Sequence, residues 1–372
     1  MADGEIKLNS SPPRSHRSRY SVSLKIQALL RSIVSVVVGL SLGLLVTAVA
    51  GENPIRVLGI LAKGSFGSVY DFSMTLFYSA PLVLSGLSVA MAFQCGLFNI
   101  GAEGQLTASA LAAAAAGIAW KQSFGLNLGW VGQSTGVLFC LFAGFLAGAF
   151  VGWIPGILKA KRQSHEVINT IMLNFIVTSF TSWVALYWLK NPDSQNPETA
   201  EISRALFFAP AAWAGGAPLS YALLLAPIAV FVVWWVIFRT RLGSEIRAVG
   251  ANPDAARAGG ISVERTQIIA MTLAGAIAAS VGVIEVLGNS AKFKVGFSPG
   301  FGFTGIAVAL LGRNHPVGVL ASGLLFGALH KGSGDLDFET ENVTRDLAQI
   351  LQALVILSVC AEGLWRWIKW KR

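Results

Sequence analysis

RLGSEIRAVGANPDAARAGGIS, residues Arg241–Ser262, is a charged island between two apolar stretches, Leu219–Phe238 and Gln267–Leu287. Its local chemistry predicts a folded segment. Asn252 suits an N-cap, because its side chain can accept from a free backbone N–H. Pro253 suits the first helical position, which needs no N–H, and Asp254 favours the positive end of the helix dipole. Gly259 and Gly260 can take the left-handed conformation that stops a helix. The expectation is a short capped helix on a membrane surface, within reach of another protein. An ordinary connector would carry the same turn residues, but it has no need for start and stop signals that agree over so short a span.

Composition sets the class of protein around this island. Apolar residues make up 54% of the 372 and charged residues only 13%, with a mean hydropathy of +0.62. A soluble domain carries about twice that charge. The net charge of +9 is spread over short loops and termini, a pattern of membrane topology rather than of nucleic-acid binding. Cys95, Cys140 and Cys360 lie in apolar surroundings at unrelated spacings, so they read as small buried hydrophobes rather than a disulfide framework.

A bilayer span needs about 20 mostly apolar residues. Ten stretches qualify or come close: Ile33–Ala50, Leu76–Phe93, Gln105–Ala119, Gly132–Leu158, Val167–Leu189, Leu219–Phe238, Gln267–Leu287, Phe301–Leu311, Pro316–His330 and Leu347–Leu364. The third, eighth and ninth are short. Residues 1–25 read as a polar cytoplasmic tail, and residues 26–372 as a single transmembrane domain with a cytoplasmic loop at 239–266. With the N-terminus inside and ten spans alternating, nineteen of the 28 basic residues fall on the inner side. The expected topology is therefore N-in and C-in, with the acidic run Asp335–Glu341 and the loop Asn191–Pro218 outside.

Two glycine-broken segments follow the second and seventh spans: GLFNIGAEGQ, Gly96–Gln105, and KVGFSPGFGFTG, Lys294–Gly305. They are five spans apart, and an odd offset puts them on opposite faces, as an inverted repeat does. The expected fold is an all-α polytopic membrane protein of about ten helices in two inverted halves. Asn99, Glu103 and Gln105 cluster at the first break, where exposed backbone groups could bond a polar solute. Equally, Asn99 could cap the next helix with Glu103 in its first turn; the two roles can coexist. Phe301 and Phe303 alternate with glycines at the second break and offer faces on which a ring could stack, although aromatic packing against lipid or core would use the same residues. Asn174 could line a path or bond between helices. Glu285 could line the path, or snorkel or pair with Lys292 or Lys294. Ala110–Gly117, ALAAAAAG, predicts a close helix–helix contact.

No P-loop, H-E-x-x-H or G-x-S-x-G pattern occurs, and His16, His165, His315 and His330 have no metal-ligand spacing. No catalytic residue, metal site or cofactor is expected of this chain. A secondary transporter would show more carboxylates or histidines deep in its spans.

Three stretches, GLFNIGAEGQ at Gly96–Gln105, HEVINTIMLNFI at His165–Ile176 and LGSEIRAVGANPDAARAGGIS at Leu242–Ser262, resemble the membrane subunit of ABC importers for nucleosides and simple sugars. That permease family is related to ribose and branched-chain amino acid permeases. The likeness runs from about Leu76 to Gly363. It implies that the Glu245–Gly260 loop docks a separate ATPase subunit, where ATP and magnesium are handled. Glu245, Ala248, Gly250, Asn252, Ala255, Ala256 and Gly259 occupy that coupling pattern. It also implies a second permease chain, often a different one, an extracytoplasmic substrate-binding lipoprotein, and a place in the bacterial inner membrane. A pentose or a riboflavin-like vitamin is the alternative cargo.

Overall fold

The computed structural model describes residues 33–124 and 129–360. The tail at residues 1–25, the basic C-terminal end and the side chain of Cys360 lie outside the described residues. The regular structure is helical, with no strand among the described residues beyond three isolated bridges. In chain order the helices are α1 (Ile33–Val49), α2 (Pro54–Phe66), α3 (Val69–Gln94), α4 (Ala102–Phe124), α5 (Gly129–Arg162), α6 (Glu166–Tyr187) and α7 (Leu225–Arg239). There follow α8 (Arg241–Ala251), α9 (Pro253–Ala258), α10 (Val263–Ile284), α11 (Phe301–Leu311), α12 (Pro316–Ser333), α13 (Leu336–Glu339) and α14 (Leu347–Cys360).

Each of the ten predicted apolar stretches contains helix. Five helical segments are long and apolar enough to cross a membrane: Val69–Gln94, Gly129–Arg162, Glu166–Tyr187, Tyr221–Arg239 and Val263–Ser290. The apolar helices at Ile33–Val49, Phe301–Leu311 and Gln349–Val359 are shorter. Helix α2 was not anticipated. The Asn53 side chain caps it by accepting from the N–H groups of Ile55 and Arg56, and Pro54 opens it. Its thirteen residues are too few for a span, so hydropathy alone passes over it.

Small residues set the packing. Gly144, Gly148, Gly152 and Gly156 recur every four residues along α5 and face α10. A Cβ on Gly148 would lie 2.7 Å from the Gly275 carbonyl oxygen, and one on Gly152 2.5 Å from that of Met271. Across α10, a Cβ on Gly282 would lie 2.5 Å from the Ala110 nitrogen, so the alanine-rich run of α4 is the close contact its composition predicted. In the other half α12 lies along α3, with Gly323 against Val83 and Gly327 against Ser79. Lipid tails are as apolar as leucine, so helices in a bilayer associate through such close van der Waals contact. One pattern recurs, with α10 running along α4 and α5 as α3 runs along α11 and α12.

The helices end in two groups. At one end Gln94 Nε2 donates to the Asn314 carbonyl at 2.8 Å, Gly250 presses on Gln94 and Cys95, and Gly156 meets Ile268. At the opposite end residues 197–202 bond to residues 291–295, and Glu52 accepts from the Glu341 N–H. Helix α6 buries Thr170, Asn174, Val177, Thr181 and Ala185 on one side. It exposes Phe175, Ile176, Phe180 and Trp183 on the other, as a helix bordering lipid does.

Candidate functional site

The first break is closed by its own side chains. Asn99 and Gln105 are fully buried and bond each other twice, Asn99 Nδ2 to Gln105 Oε1 at 2.9 Å and Gln105 Nε2 to Asn99 Oδ1 at 3.1 Å. Asn99 Oδ1 also accepts from the Gly101 N–H, and Asn99 Nδ2 donates to Ser88 Oγ. From α6, Asn174 Oδ1 accepts from the Gly104 N–H at 2.8 Å while its Nδ2 donates to the Ile100 carbonyl at 2.9 Å. The segments GLFNIGAEGQ and HEVINTIMLNFI are thus each other's partners. Irregular backbone inside a bilayer leaves polar groups that each cost several kcal/mol unless something satisfies them; here the amides of Asn99 and Asn174 do so, with Gln105 holding Asn99 in place. Asn99 stands three residues ahead of α4 rather than at its N-cap position, and it holds the Gly101 N–H just before the helix.

The second break follows α10. That helix passes into a π-helical turn at Glu285–Ser290 and stops at Ala291, which has φ +57°. Glu285 accepts from Asn289 Nδ2 at 3.1 Å. It does not pair with Lys292, whose ammonium lies 2.9 Å from Glu198 and 3.3 Å from Glu201. Ser298 caps α11, its Oγ accepting from the N–H groups of Gly300 and Phe301. The Gly302 N–H donates to Glu103 Oε2 at 2.7 Å, across 199 residues. Glu103 therefore belongs to both breaks. Phe301 is half-buried and Phe303 is 50% exposed, and both line a cavity of about 450 Å³.

The charged island holds two helices where one was expected. Thr240 caps α8 by accepting from the Gly243 N–H, and α8 buries Gly243, Ile246 and Val249 along one face. Asn252 ends α8 and begins α9, accepting from the N–H groups of Asp254 and Ala255 at 3.0 Å each. Gly259 has φ −78°, an ordinary value; Gly260, at φ +82°, supplies the left-handed stop. Ala255, Asn252 and Gly259 are exposed and Glu245 and Ala248 half-buried. Ala256, expected on the outward face with Ala255, is buried in the protein's own core. A six-residue helix has two sides, and the inward one has to be small. Gly250 is the closest seam: a Cβ there would lie 2.2 Å from the Gln94 carbonyl oxygen. Sequence reasoning had no signal for that contact, because Gly250 and Gln94 are distant in the chain.

Among the described residues no group of three or more histidine, cysteine or carboxylate side chains is placed to hold a metal ion. Comparison with known proteins identifies the architecture. The family model described as branched-chain amino acid transport system, permease component, matches residues 72–360. A guanosine ABC transporter permease of Bacillus subtilis (strain 168) is 33% identical over 93% of this chain and 97% of its own length. A nucleoside ABC transporter permease of Lactococcus lactis subsp. cremoris (strain MG1363) is 34% identical over 91% and 92%. A glucose ABC transporter permease of Haloferax volcanii is 34% identical over 87% and 85%. With a model matching more than three quarters of its length and relatives aligned nearly end to end, this chain belongs to the branched-chain amino acid transport system permease component family, as a non-enzymatic, multi-pass membrane subunit of an ABC transporter.

Proposed function

We propose that this chain is the permease subunit of an ATP-driven importer that carries nucleosides into a bacterial cell across its inner membrane. Its ten apolar stretches cross the bilayer as two inverted halves of one domain, residues 26–372, with both termini inside. A separate ATPase subunit docks on the exposed side of α8 and α9, at Glu245, Ala248, Asn252, Ala255 and Gly259. A second permease chain completes the path, and an extracytoplasmic lipoprotein delivers the solute. ATP and magnesium belong to the ATPase. The observation that carries this reading is the seam between Gly250 and Gln94. Through it a surface helix pair rests directly on the end of α3, two residues before the first break, so a push on α8 and α9 reaches the spans as rigid-body motion.

The nucleoside cargo is supported by the guanosine and nucleoside permeases that align along nearly the whole chain. A simple sugar is the second reading, favoured by the glucose permease of equal identity. Deleting the gene should abolish ATP-dependent nucleoside uptake and leave glucose uptake intact. Undiminished nucleoside uptake in the deletion strain would overturn the cargo assignment.

A further inference from the structure

The two broken segments differ in what they face. The first is sealed by Asn99, Gln105 and Asn174. The second leaves Pro299 exposed and Gly300 half-buried, and both line the cavity of about 450 Å³ between α3, α11, α12 and α14. Helix α11 has eleven residues and rises about 16 Å, roughly half of the ~30 Å hydrocarbon core. It ends at the turn holding Asn314, so its first residues lie near mid-depth. Non-helical backbone at that depth persists only where protein covers it or a water-filled cavity reaches it. Ser298 Oγ meets the Gly300 N–H and the Thr304 N–H meets its carbonyl, so it is the polar lining at Tyr78, His330, Gln349 and Gln352 that suits the cavity beside them to water rather than to lipid tails.

Its walls have a definite chemistry. Tyr78, Phe301, Phe303 and His330 present rings, with Tyr78 and His330 edge to face at 4.6 Å between centroids. Gln349 and Gln352 project from α14 into the same space. A second cavity of about 570 Å³ shares Tyr78, His330 and Gln349 and carries the opening outward to Lys331, Asp335 and Arg345. Among the described residues no lysine or arginine lines the inner cavity. Lys331, at its edge, is engaged by Asp71 at 3.0 Å and Asp335 at 3.5 Å.

We propose that the inner cavity holds the solute in transit and recognises a planar, uncharged heteroaromatic ring with hydrogen-bonding edges, the base of a nucleoside. The ring lies against Phe301 and Phe303, with Tyr78 and His330 beside it. The amide of Gln349 offers two donors and an acceptor to the ring edge, and Gln352, whose Nε2 also donates to the Phe326 carbonyl at 3.4 Å, offers its oxygen and remaining N–H. A volume of about 450 Å³ falls within the ordinary range for small-molecule sites. The absence of a basic residue leaves a phosphate without a partner, so the site selects nucleosides over nucleotides. This assignment rests on the nucleoside-importer reading above.

The test uses the assembled importer in proteoliposomes, with its ATPase, second permease and binding protein, and with Cys360 replaced by serine. Cys95 and Cys140 are buried. Gln349→Cys should react with a charged, membrane-impermeant thiol reagent and lose uptake. Guanosine should slow that reaction at least about tenfold, while ribose and guanosine monophosphate leave it unchanged. Leu357→Cys, on the exposed side of the same helix, should react only with a membrane-permeant reagent. Phe301→Ala should raise the guanosine concentration for half-maximal uptake about tenfold, the usual cost of a lost base–aromatic stack, and Phe301→Tyr should restore it. Protection by ribose equal to that by guanosine would overturn the ring assignment. Labelling of Gln349→Cys that matches Leu357→Cys would make the cavity a lipid groove and overturn the site, while intact nucleoside uptake by the unmodified importer would leave the importer reading standing. Failure of that importer to move any nucleoside would overturn both.

Discussion

The carboxylate of Glu103 accepts from the backbone N–H of Gly302 at 2.7 Å, so the first turn of α4 satisfies the first turn of α11. A Cβ on Gly302 would lie 2.4 Å from the Glu103 nitrogen, which leaves room only for glycine. Two helix beginnings, 199 residues apart in the chain, are tied together.

Removing that carboxylate should cost stability. Glu103→Leu strands the Gly302 N–H in a dry site, at about 1–3 kcal/mol. Glu103→Gln keeps an acceptor and should stay near the parent. Thermal unfolding in detergent measures both; equal midpoints for Glu103→Leu and the parent would show that the bond contributes nothing.

Asn99→Leu should be worse. It deprives the Gly101 N–H, Gln105 and Ser88 of a partner together. Each unsatisfied buried group costs about 1–3 kcal/mol, so the expected outcome is loss of folded protein from the membrane. Normal abundance with reduced uptake per molecule would instead assign Asn99 to the solute path.

Gly250→Val should separate binding from coupling. The new side chain displaces α8 from Gln94 without touching the exposed residues of α9. ATPase co-purification should persist while uptake falls about tenfold or more, the scale of a lost coupling between sites. Parallel loss of ATPase binding would mean that the variant disturbs the docking face itself.

Topology is open to labelling. Ala255→Cys should react only from the cytoplasmic side. Phe338→Cys, at a position 90% exposed, is the opposite probe and should react only from outside. Reaction of both from one side would refute the alternation of spans between them.

The loop opposite α8 and α9 should respond to acid. Lys292 and Ser194 hydrogen-bond the Glu198 carboxylate and hold it below the usual carboxylate range, while Glu198 and Glu201 hold the Lys292 ammonium above its own. The carboxylate is favoured by folding, so its contribution is complete above about pH 4.3 and disappears as pH falls through the lowered folded value. The Lys292 contribution is complete below about pH 10.4 and is lost only above it. Protection of residues 194–202 against hydrogen exchange, relative to the intrinsic rate, should therefore fall as pH drops below about 4.3, and Lys292→Ala should remove that pH dependence. An unchanged profile in the variant would refute the ion pair as its source.

Much of this protein was legible one residue at a time. Hydropathy marked the helical stretches, because a span needs a run of apolar residues whatever its neighbours do. Asn252 and Pro253 announced the start of α9, because capping depends only on residues within one turn. The alanines of α4 announced a close contact, because small side chains have one dominant use between helices in a bilayer. Tertiary structure alone decided which face each residue shows and whom it meets. Ala255 and Ala256 are adjacent and alike, yet one faces outward and the other the core. Asn99 and Gln105 turned toward each other, with Asn174 closing the same break from α6. Tyr78, His330 and the pair Gln349 and Gln352 come from three different helices and converge with Phe301 around one cavity. Local chemistry is written in neighbouring residues, whereas a contact across 199 residues depends on the packing of every helix between them.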